Sequence, residues 1–93
     1  MAQQQNDKDI LARVKEMIYQ LNNFVAISQI KPSNSFGEDL YLDSIDFVAL
    51  ISEVEREYDV AITDQEAGNI ITVQDLVDCL VRLVDKKGLE MSN

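Results

Sequence analysis

The stretch Asp43-Ser44-Ile45-Asp46-Phe47-Val48-Ala49-Leu50-Ile51-Ser52-Glu53-Val54-Glu55-Arg56-Glu57-Tyr58 decides how this chain folds. Phe47, Leu50, Ile51, Val54 and Tyr58 recur at the 3.6-residue period of a helix with one buried face. Glu53, Glu55, Arg56 and Glu57 supply the solvated side. Ser44 stands just before the periodic set and is the predicted N-cap, because its side-chain oxygen accepts from an orphan N–H of the first turn.

Working outward gives three more helices. On the N-terminal side, Ile10, Val14, Met17, Ile18 and Leu21 predict a helix over 8–22, with Asn6 or Asp7 as cap. Residues 28–43 read as a long loop, because Pro32 and Gly37 fall there among serines and asparagines. Phe36, Leu40 and Leu42 anchor that loop to the core. On the C-terminal side, Val60-Ala61-Ile62 is the only strand-like run, and it is short and alone. Thr63-Asp64 caps a helix of one or two turns that ends at Gly68 or Asn69. Thr72, with Asp75 three residues on, has capping-box spacing. It opens a last helix whose stripe is Val73, Leu76, Val77, Leu80 and Val84. Lys86, Lys87 and Gly88 are its predicted stop. The expectation is one all-α domain over 1–93, a four-helix bundle of three longer helices and one short one. Residues 1–6 and 87–93 are expected to fray.

Composition narrows the function. The chain has 93 residues, a net charge of −9, one cysteine and no histidine. Ten acids against Arg56 alone lie in residues 38–66, so the acidity surrounds the second helix. Such a field repels nucleic acid and anionic lipid and attracts basic partners. Without histidine, and with Cys79 alone, there is no usual general base, no expected metal site and no internal disulfide. An EF-hand pattern of alternating acids is also missing. Cys79 sits in an apolar run and reads as core. The polar start has no signal-peptide pattern, and no run is long enough to span a bilayer. The expected location is the cytoplasm, and the expected state a monomer.

The string Phe36-Gly37-Glu38-Asp39-Leu40-Tyr41-Leu42-Asp43-Ser44-Ile45-Asp46 resembles the acyl carrier protein family. Its centre, Asp43-Ser44-Ile45, is similar to that family's Asp-Ser-Leu prosthetic-group motif. Glu55-Arg56-Glu57-Tyr58-Asp59-Val60-Ala61-Ile62 and Ile70-Ile71-Thr72-Val73-Gln74-Asp75-Leu76 extend the likeness over about residues 33–84. The resemblance implies a discrete carrier, not an enzyme, with no catalytic residue of its own. Ser44 would bear a 4′-phosphopantetheine arm, installed from coenzyme A by a phosphopantetheinyl transferase. The arm's thiol would hold acyl cargo as a thioester for enzymes of fatty-acid or related lipid or polyketide synthesis. Those acyl-transferring or acyl-modifying enzymes would bring basic patches to Asp43, Ile45, Asp46, Val48 and Glu55. Asp43 is also a candidate to help place the transferase's Mg²⁺. Phe36, Val54, Ile62, Ala67, Leu76 and Cys79 would line a groove for the acyl chain.

This sequence departs from the common fatty-acid carrier at several positions. Tyr41-Leu42 replaces a small Gly-Ala, Phe47 is bulky, and Ala49 and Arg56 stand where glutamates are usual. Leu42-Asp43-Ser44 is also similar to D-alanyl carriers, so an aminoacyl or peptidyl cargo is an alternative. An acidic helical adaptor with no prosthetic group is the alternative from another class.

Overall fold

The computed structural model describes residues 7–91. Helix α1 is Asp7–Leu21, α2 is Ser44–Tyr58, α3 is Asp64–Gly68 and α4 is Val73–Met91. A 3₁₀ turn at Ile27–Gln29 interrupts the long connection from α1 to α2. The predicted all-α architecture of three longer helices and one short one is what forms, and no strand occurs among the described residues.

Apolar spacing explains the packing. Ile10, Val14, Met17 and Ile18 of α1 turn inward and meet Val73, Leu76, Val77, Cys79 and Leu80 of α4 and Leu50 and Val54 of α2 in one cluster. α1 packs against both α2 and α4. The connecting segments add Ile30, Phe36, Leu40, Leu42, Ile62 and Ile70, so the long loop lies over the core. Ion pairs tie the outer ends together. Arg13 on α1 grips both carboxylate oxygens of Glu57 on α2, at 2.7 and 3.2 Å. Arg82 on α4 reaches Glu66 on α3 at 2.9 Å, and Lys87 on α4 pairs with Asp59 beyond α2.

Local signals mostly set the ends as expected. Thr63 and Glu66 form a complete capping box on α3. At α4 the Thr72 hydroxyl accepts from the Asp75 N–H at 3.1 Å, and the Asp75 carboxylate accepts from the Thr72 N–H at 3.0 Å. Three ends differ from the sequence reading. Asp43, not Ser44, caps α2, its carboxylate accepting the Asp46 N–H at 2.8 Å. Asp7 is inside α1, and the alternative cap Asn6 lies outside the described residues. α4 does not stop at Lys86–Gly88 but continues as helix to Met91. Gly88 has no positive φ with which to turn the chain. Lys87 is engaged with Asp59 instead of with the end of its own helix. Of the frayed ends expected at 1–6 and 87–93, residues 1–6 and 92–93 fall outside the described residues, and 87–91 belong to α4.

Candidate functional site

Ser44 is the first residue of α2 and is exposed. Because Asp43 has taken the cap, the Ser44 hydroxyl makes no hydrogen bond to the described residues. A serine that capped would be held down by the N–H groups it served. This one is free for chemistry from outside. The first N–H groups of a helix have no carbonyl partner within it, and Asp43 takes only that of Asp46. Ser44 and Ile45 therefore leave the positive end of the helix dipole open beside the hydroxyl.

The loop before Ser44 holds itself rigid. The Asp39 carboxylate accepts the Ser35 N–H at 2.8 Å, and the Ser35 hydroxyl accepts from Glu38 and Asp39, each at 3.2 Å. The Leu42 N–H donates to the Phe36 carbonyl at 2.9 Å. Buried Leu40 and Leu42 pin the same turn from below. A clasp then joins this loop to the start of α4. Phe36 N–H donates to Ile71 O at 3.0 Å, Val73 N–H to Asn34 O at 3.0 Å and Gln74 N–H to Pro32 O at 2.9 Å. Ser35 and Thr72 face each other there in an isolated antiparallel bridge.

Clasp and helix start enclose an open depression of about 300 Å³ beside the serine, lined by Phe36, Gly37, Leu42, Asp43, Ser44, Phe47, Ile70 and Ile71. The rings of Phe36 and Phe47 meet at 5.4 Å on its wall. A second depression, of about 240 Å³, lies between α3 and α4 and is ringed by charge: Glu66, Asp75, Asp78 and Arg82 around Cys79. Cys79 itself is buried in the core, and that burial pushes its thiol up.

The expected groove residues are therefore not gathered in one cavity. Phe36 lines the depression beside Ser44, and Cys79 lines the other. Val54, Ile62 and Leu76 are buried in the common core, and Ala67 is packed against it. Among the expected docking residues, Ile45 is 77% and Val48 62% exposed. Asp43 is exposed while serving as cap, and Asp46 is half-buried. Glu55 is turned to an internal task, accepting the Ile62 N–H at 2.8 Å and fixing the α2–α3 connection. Two prominent residues were not singled out as site residues: Phe24, and Tyr41 with its left-handed φ of 63°. The signal for Tyr41 was present, since it replaces a small residue in the resemblance. Phe24 carried none.

The residues fit a phosphodiester-linked arm with an apolar cargo. The hydroxyl is free and accessible, the helix start offers N–H groups to an anion, and an apolar hollow adjoins it. Asp43 and Asp46 oppose a phosphate electrostatically, so those N–H groups must offset them. No cluster of His, Cys, Asp and Glu suited to a metal ion occurs among the described residues.

Comparison with known proteins gives a matching result. The family model of the phosphopantetheine attachment site matches residues 12–80. An acyl carrier protein of Chlorobium phaeobacteroides is 43% identical over 74 residues, covering 76% of this chain and 95% of the relative. One from Chlorobium phaeovibrioides is 42% identical with the same coverage. One from Thermosynechococcus vestitus is 43% identical over 74 residues, covering 78% of this chain and 89% of the relative.

Proposed function

The chain belongs to the phosphopantetheine-attachment family that includes the acyl carrier proteins, and from that membership we propose that Ser44 is the residue that bears the arm. The protein is a discrete acyl carrier, not a catalyst, and its prosthetic group is 4′-phosphopantetheine. When bound, the arm supplies a terminal thiol that takes the acyl group as a thioester.

One observation carries the assignment to Ser44: its hydroxyl is exposed and unbonded because Asp43 caps α2 in its place. The serine needs no neighbouring base, since the attaching enzyme brings the catalysis. That suits a chain without histidine. Ser44 holds the arm at a fixed point, and the hydrogen-bonded loop behind it keeps that point from wandering. The tether then raises the local concentration of cargo at any enzyme docked nearby.

The apolar hollow lined by Phe36, Leu42, Phe47, Ile70 and Ile71 supports an acyl cargo over a charged aminoacyl one. In this reading the start of the acyl chain shelters there, and Val54, Ile62, Leu76 and Ala67 act as core behind it. Members of the family meet a phosphopantetheinyl transferase and acyl-handling enzymes. Here Asp43, Asp46, Ile45 and Val48 form the surface those enzymes meet. The same reading makes the protein a monomeric carrier of the cytoplasm. No helix among the described residues is long and apolar enough to cross a membrane.

The test is direct. The chain is incubated with coenzyme A, Mg²⁺ and a broad-specificity phosphopantetheinyl transferase, and its intact mass is measured. One phosphopantetheine is added to the wild type and none to Ser44→Ala. An unmodified wild type, with a control carrier modified alongside, would point to an adaptor without a prosthetic group.

A further inference from the structure

We propose that Phe24 and Tyr41 form an aromatic contact that receives a guanidinium side chain of the partner enzymes approaching Ser44, a proposal that rests on the carrier reading above. The two rings meet edge to face at 4.8 Å, yet Phe24 is 72% and Tyr41 57% exposed. Two large apolar side chains are thus held together and left in solvent.

They are also held deliberately in place. Asn22, just past α1, donates from Nδ2 to the Tyr41 carbonyl at 2.9 Å, and its Oδ1 accepts the Phe24 N–H at 3.0 Å. One side chain fixes the backbone of both aromatic residues. Tyr41 meanwhile keeps a left-handed backbone, which costs any residue with a Cβ and would suit glycine. The ring it carries in exchange contributes little to the core. A strained position bearing an exposed ring points to a role outside the fold.

Charge selects the occupant. Residues 32–52 contain Glu38, Asp39, Asp43 and Asp46 and no Lys or Arg. The faces of both rings are negative by their quadrupoles, and an arginine stacks well on such a face. A second copy of a chain with a net charge of −9 is repelled, as is an anionic lipid surface. A basic protein surface satisfies the rings and the acids together.

The full chain, labelled for NMR, is titrated at low salt with diarginine amide. Saturable shifts are expected at the Phe24 and Tyr41 rings. Followed at the Asp43 and Asp46 amides, affinity should fall about two- to fivefold in Tyr41→Gly and hold in Tyr41→Phe. Glycine suits the left-handed backbone, so the first variant keeps the fold. Three results would overturn the proposal: affinity unchanged by Tyr41→Gly, equal binding of dileucine amide, or ring shifts that grow with protein concentration alone. Arm addition is read separately by mass on the wild type, so failure here and failure of the carrier reading are distinguishable.

Discussion

In the proposed assignment, Asp43 and Ser44 divide two tasks that one residue cannot perform together. A capping side chain is committed to the backbone, whereas an attachment residue must be free. Because the cap is Asp43, Asp43→Ala should destabilise the fold by about 0.5–2 kcal/mol in urea unfolding. Ser44→Ala should change it by less than about 0.5 kcal/mol, as for a surface site without partners. The reverse order would return the cap to Ser44 and remove the structural ground for the attachment role. The sequence could not separate the two, since Asp and Ser rank almost equally as caps. It did locate the pair, because any cap must directly precede the apolar period that starts at Phe47. Tyr41 was harder to read. Its neighbours give no glycine to announce a left-handed turn, and only the Asn22 clamp reveals that the turn is held.

Among the elements, α4 shows what short-range signals can and cannot say. Its start was legible, because Thr72 and Asp75 meet within one turn and need nothing else. Its end was not, because the Lys87 partner, Asp59, lies far away in sequence. The start also titrates. N–H groups of Thr72 and then Ile71 hold the Asp75 carboxyl below the usual aspartate range. A depressed folded-state pKa stabilises above the unfolded value, and the contribution disappears as pH falls through the folded one. Glu57 beside Arg13, and Glu66 under the Thr63 N–H and Arg82, act in the same direction. Stability should therefore fall on acidification through the carboxylate range. Asp75→Asn keeps an acceptor but cannot ionise, so its urea midpoint should fall less steeply over that range. An identical slope would show that Asp75 does not take part. The depression beside Ser44 lay beyond sequence reading for a related reason. Its walls come from Phe36, Phe47 and Ile71, and it is backbone bonds from the loop to α4 that bring them together.

For the whole molecule, charge and connectivity matter most. With 17 acids against 8 bases, self-repulsion is expected to exceed what the few exposed ion pairs return, since such pairs contribute little in water. Added salt should raise the thermal midpoint, since screening shortens the reach of that repulsion to ~8 Å at 0.15 M. A midpoint that falls with sodium chloride would mean that the ion pairs of Arg13, Arg82 and Lys87 outweigh it. If basic enzymes dock as proposed, that docking should weaken over the same salt range, so a field that recruits partners would also loosen the fold. The clasp between Phe36 and Ile71 adds a consequence of another kind. It makes the intervening chain, with Ser44, α2 and α3, a ring whose two ends meet at one place. The entropy of closing a ring grows only with the logarithm of its length, so doubling it costs about 0.6 kcal/mol. Length by itself therefore costs little, and what an insertion between α2 and α3 has to preserve is the Glu55–Ile62 bond and the burial of Ile62. In evolutionary terms, the segment inside the ring is free to vary on its solvent side, while Leu50, Val54, Glu57 and Glu66 stay tied to the frame of α1 and α4.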